Sequence, residues 1–122
     1  MITHPRAEEL TEAVARWIDE VRPGLDPRNA FLARVAANML GVVARQQQLG
    51  PAAEAAATER FIVLLDHQGE YADLNSELCE KLRAGTLDAA TPGLIETLKA
   101  NVLDQLAIDQ PNYRHEGLAG GA

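Results

Sequence analysis

Aromatic residues are scarce in this chain: two Phe, two Tyr and one Trp make up 4% of its 122 residues. Its core must therefore be filled by Leu, Val, Ile and Ala. There is one cysteine, Cys79, which excludes an intramolecular disulfide framework and fits a reducing compartment. The one serine, Ser76, lacks the flanking glycines of a nucleophile elbow, so hydrolase chemistry is not expected. His4, His67 and His115 are scattered, with no HExxH or CxxC spacing to fix a metal. Neither a GxxxxGK loop nor a GxGxxG fingerprint is present to cradle nucleotide phosphates. No apolar run approaches the ~18–20 residues of a membrane helix. The N-terminal MITHPRAEEL has no apolar segment of the signal-peptide kind. Basic residues are also in deficit, 11 against 18 acids, for a net charge of −7. Such a surface repels phosphate backbones and anionic lipid. The sequence thus predicts no catalytic residues, no cofactor, no metal, no nucleic-acid or membrane partner, and a cytoplasmic location.

What is present is helical. At 47% hydrophobic and 24% charged residues the composition is that of a soluble globular protein, and the length is that of one domain. Leu10, Val14, Trp17, Ile18 and Val21 recur at three- and four-residue steps, and Arg22-Pro23-Gly24 stops this first helix. Asp26 reads as an N-cap with Pro27 behind it, opening a second helix to about Leu49. Gly50 and Pro51 separate it from a third, which runs to about His67. Leu74, Leu78 and Leu82 stripe a fourth that Gly85 ends. Thr91-Pro92 opens a fifth, lined by Leu94, Ile95, Leu98, Val102 and Leu106. Phe61-Ile62-Val63-Leu64-Leu65 is the one strand-like run, and its Ala-rich surroundings favour helix. The expected architecture is an all-α, single-domain bundle over residues 1–115. Its five helices lie near 5–21, 27–49, 51–67, 72–84 and 92–109, with a mobile tail over 116–122.

The second helix is expected to be central and the most buried. At 100° per residue, Phe31, Leu32, Val35, Met39, Val42 and Val43 form a bulky apolar face. Ala33, Ala36, Ala37, Leu40 and Ala44 form a small-residue face opposite. Between them Arg34, Asn38 and Arg45 fall within about 40° of one another, with Gly41 beside them. Residues 27–50 carry +3, whereas 1–26, 51–85 and 86–122 carry −3, −4 and −3. Two readings of the Arg34–Asn38–Arg45 stripe follow. In the favoured one, Arg34 pairs internally with a carboxylate, Asp104 or Asp109 being candidates, and Arg45 is partly exposed. In the other, the stripe receives a carboxylate or phosphate from a ligand or partner. Cys79 and Trp17 read as core residues, and Asp66-His67 as a local polar pair at a helix end.

Three segments carry a further likeness: AFLARVAANMLGVVARQQQLG at 30–50, LNSELCEKLRAG at 74–85, and Leu98 through VLDQLAI at 102–108 to Pro111-Asn112-Tyr113. Over about residues 5–114 the chain resembles a family of small bacterial proteins of unassigned domain function. Members accompany an aminoglycoside-phosphotransferase-like kinase and an acyl-CoA dehydrogenase. It departs from the family pattern at Gln105 and Gln110, where Lys and Asn are expected. The resemblance implies a non-catalytic companion subunit of a kinase acting on hydroxyacyl-CoA compounds, and it brings no catalytic residues with it. The alternative from the residues is a helical ligand-binding module or small enzyme using the arginine stripe, and a homodimer is a third possibility.

Overall fold

A computed structural model of the chain describes residues 4–113; the tail expected over 116–122 lies outside them. Helix α1 (Ala7–Val21) leads into a short 3₁₀ turn, Arg22–Gly24. Helices α2 (Pro27–Leu65), α3 (Tyr71–Ala84) and α4 (Leu94–Asp109) follow. There is no strand among the described residues, and Phe61–Leu65 is helical. The fold class is all-α.

The helices number four, not five, because the expected second and third are one element with Pro51 inside it. A proline within a helix removes one backbone hydrogen bond and disfavours the α conformation of the residue before it, mainly through that residue's Cβ. Here the preceding residue is Gly50, which has no Cβ. Ala52, Ala53, Ala55, Ala56 and Ala57 then supply the strongest helix propensity directly beyond. The helix continues because the residues on both sides of Pro51 lower the cost of keeping it.

The other ends follow the sequence signals. The Asp26 carboxylate accepts the Asn29 backbone N–H at 3.3 Å and the Asn29 side-chain amide at 2.6 Å, which caps α2 with Pro27 in its first turn. These two hydrogen bonds hold the Asp26 carboxyl below its ordinary pKa. Asp66 ends α2 at φ 61°, a left-handed conformation that Asp tolerates better than most side chains. Gly85 ends α3 at φ 75°, as the sequence predicts.

The chain divides into two compact units, one ending at Gly50 and the other beginning at Pro51. In the first, Gln48 Nε2 donates to Glu12 Oε1 at 2.8 Å, tying α2 to α1. No residue of α1 is buried, and Leu10, Val14, Trp17 and Val21 form an exposed stripe along it. In the α2 part of this unit only Ala37, Ala44 and Gly50 are buried, while Phe31 is 63% and Met39 64% exposed. The expectation of a central, most buried second helix is thus overturned, and so is a core position for Trp17, 61% exposed. Helical periodicity sorts residues onto faces, but it does not say which faces are covered.

The second unit holds the larger buried side chains. Phe61, Leu65, Leu74, Leu78 and Leu94 form its core, with Ile62, Leu64, Tyr71, Leu87 and Leu98 packed against them. The Phe61 and Tyr71 rings stack at 5.8 Å with an interplanar angle of 24°. Cys79, one position beyond buried Leu78, is exposed and is not the core residue the sequence suggests.

Candidate functional site

The three residues of the expected stripe all lie on α2 in the first unit. Arg34 and Asn38 are exposed and Arg45 is half-buried. The Arg45 guanidinium folds back along its own helix over Gly41; its Nη1 lies 3.2 Å from where a Cβ at that position would stand. Gly41 therefore makes room for the arginine, and the stripe is partly filled by it.

Arg34 does not meet the carboxylates proposed for it. Asp104 Oδ2 pairs with Arg60 Nη1 at 2.9 Å, and the same nitrogen donates to Asn101 Oδ1 at 2.7 Å. Asp109 Oδ1 accepts from Gln105 Nε2 at 3.0 Å, within its own helix. The acid on α4 is met by an arginine of its own unit, on the C-terminal part of α2. The pairing expected for Arg34 fails because tertiary neighbours, which helical spacing does not identify, decide which arginine meets Asp104.

Arg34 has no ion-pair partner among the described residues. Instead it borders a cleft of about 380 Å³ that it shares with Arg22, Pro23, Leu25, Ala30 and Phe31. Two guanidinium groups and an apolar floor, with no carboxylate in the lining, suit an anion that carries an apolar part. Arg22 is held only by an exposed contact, Nη2 to Asp19 Oδ1 at 3.5 Å, which leaves it free to turn toward the cleft at little cost. Sequence reasoning took Arg22-Pro23-Gly24 only as a helix stop. The signal available was a second basic residue at the turn opposite the start of the basic helix.

A second polar cluster lies in the second unit. His67 Nε2 lies 2.7 Å from Glu77 Oε1, and His67 Nδ1 lies 2.8 Å from the Gln68 carbonyl. Lys81 Nζ approaches Glu77 Oε2 at 3.4 Å. Both partners of the imidazole are acceptors, so both ring nitrogens donate, which only the imidazolium can do. The Gln68 carbonyl and then the Glu77 carboxylate accordingly raise the His67 pKa above its ordinary 6.5. Partial burial pulls the Glu77 carboxyl upward, and the hydrogen bonds from His67 and Lys81 outweigh it, leaving its pKa lowered. Sequence reasoning placed His67 beside Asp66; its partner is ten residues further on.

Linkage fixes how this cluster responds to pH. The His67 contribution is complete below its unfolded pKa and disappears as pH rises through the raised folded value. The Glu77 contribution is present above its unfolded pKa and is lost as pH falls through the lowered one. We expect the urea midpoint to fall on going from slightly acid to slightly alkaline pH, and the slope to flatten in His67→Gln. An NMR titration placing the His67 pKa at or below 6.5 would contradict the assignment.

The described residues contain no group of three or more His, Cys, Asp or Glu side chains arranged to hold a metal ion. Nor do they contain a helix long and apolar enough to cross a membrane. Neither a curated protein nor a solved structure matches the chain. A family model does match, over residues 23–113, beginning inside the 3₁₀ turn just past Arg22 and taking in α2, α3 and α4. With about three-quarters of its length inside that match, the chain belongs to the family described as a domain of unknown function, DUF6285.

Proposed function

We propose that this chain is a non-catalytic companion subunit that works by binding, in the cytoplasm, to a phosphotransferase-like kinase acting on hydroxyacyl-CoA compounds. The observation that carries the binding part of this reading is α1. It is amphipathic, none of its residues is buried, and its exposed stripe includes the chain's one tryptophan. Exposed apolar stripes rimmed by charge, with an aromatic anchor, are the usual material of protein interfaces. Acids at Glu8, Glu9, Glu12, Asp19 and Glu20 give this helix a charged rim. The kinase itself comes from the family resemblance alone. Co-expression with such a kinase tests the reading. The expected result is a complex of fixed stoichiometry that Trp17→Glu dissolves without changing helix content. A kinase that purifies alone, fully active and with unaltered substrate affinity, would overturn it.

A second reading rests on the cleft between Arg22 and Arg34: a module that holds a small amphiphilic anion. Arg34 is exposed and unpaired by acids, so we expect Arg34→Ala to change stability by no more than about 0.5 kcal/mol. The same change should abolish any thermal shift produced by inorganic phosphate or a medium-chain carboxylate. A loss of several kcal/mol would restore the internal pairing expected from the sequence.

A further inference from the structure

We propose that a second copy of this chain docks on the bulky face of α2 formed by Phe31, Leu32, Val35, Met39 and Val43, the two helices running antiparallel across a twofold axis. All five side chains are between 39% and 64% exposed. At 100° per residue they span about 120° of arc, centred on the side of the helix opposite the buried Ala37 and Ala44. They form a face of their own, not the rim of a buried one. Between Arg28 at one end of this arc and Gln46 at the other, about 27 Å along the helix, it carries no charged residue.

Charge and area single out a second copy as the occupant. Up to Gly50 the chain carries six basic and six acidic residues, whereas from Pro51 onward it carries the whole net charge of −7. Two first units oppose no net charge, and of the three basic residues in 27–50 Arg28 stands at the end of the face while Arg34 and Arg45 lie outside its arc; two second units would oppose net acidic surfaces. A standard interface takes about 800 Å² from each partner, and the five side chains supply roughly half of that in apolar area alone. The stems of Arg28 and Gln46 and the flanking half-exposed Val42 extend it toward the full amount.

Antiparallel pairing follows from the positions along the face. A twofold axis level with Ala37 sets Phe31 against Val43 and Val35 against Met39, so that large meets small, and places Arg28 against Gln46. Parallel pairing would set Arg28 against its own copy at one end of the face, like charge against like. This surface is separate from the α1 stripe, so the inference stands whatever binds α1.

Sedimentation equilibrium of the full chain at micromolar concentrations should show a dimer, and Met39→Glu should give a folded monomer with unchanged helix content. Cysteine cross-linking in a Cys79→Ser background tests the geometry even if Met39→Glu fails to fold. Phe31→Cys or Val43→Cys alone should give no disulfide-linked dimer, and an equal mixture of the two should give one readily. A monomeric wild-type chain would overturn the proposal. So would a dimer that survives Met39→Glu but dissociates with Trp17→Glu, or cross-linking of Phe31→Cys to itself.

Discussion

Phe61→Ala lowers the unfolding free energy by about 3–5 kcal/mol, measured by urea denaturation followed by far-UV circular dichroism. Phe61 is 3% exposed and belongs to the cluster of five buried side chains at the centre of its unit, so removing its ring leaves a void in a close-packed core. The stacked contact with Tyr71 is lost as well, and a ring pair of this geometry is worth about 0.5–1.5 kcal/mol beyond its buried area. With domain stabilities of about 5–15 kcal/mol, a loss of this size leaves α3 marginally attached to α2 at physiological temperature. Val63, two residues along the same helix and 82% exposed, provides the control. Val63→Ala should fall within about 0.5 kcal/mol of the parent. Equal effects at the two positions would mean that the core has been wrongly located.

Pro51→Ala has the opposite sign. The proline is exposed, so its removal takes nothing from a core. Alanine returns the backbone N–H that Gln47 lacks as a donor and relieves the clash of the ring with that carbonyl. Together these are worth about 3 kcal/mol in a helix interior. Part of the gain, about 0.4–1 kcal/mol, is offset because the unfolded chain loses a restraint on its entropy. The net expectation is a stabilisation of about 2 kcal/mol, visible as a higher urea midpoint with an unchanged slope. A destabilised Pro51→Ala would show that the ring itself packs against something.

That position also shows where sequence reasoning about this chain stops. Asp26, Pro27 and Gly85 were legible because each acts on the backbone within one turn, and a cap depends on its own neighbours. Gly50-Pro51 was misread because the same two residues break a helix in most settings and are tolerated where a missing Cβ and a run of alanines lower the cost. The faces of α2 and the stripe of α1 follow from helical periodicity, but which faces are covered depends on tertiary neighbours that periodicity does not name. Arg34 lost its expected acid, and Arg60 gained it, because an ion pair between helices is decided by tertiary proximity. The cleft was half legible: Arg34 was singled out, whereas Arg22 was hidden inside a turn signal.

Trp17 has an optical consequence. It is the only indole in the chain and stands 61% in solvent on a helix with no buried residue. Its emission is therefore that of a water-relaxed fluorophore from one known position, with no other tryptophan to mask it. Any molecule that covers α1 must displace that water and move the emission to shorter wavelength, while a quencher in solution loses its access. The chain thus carries a label-free titration signal for whatever its first helix meets.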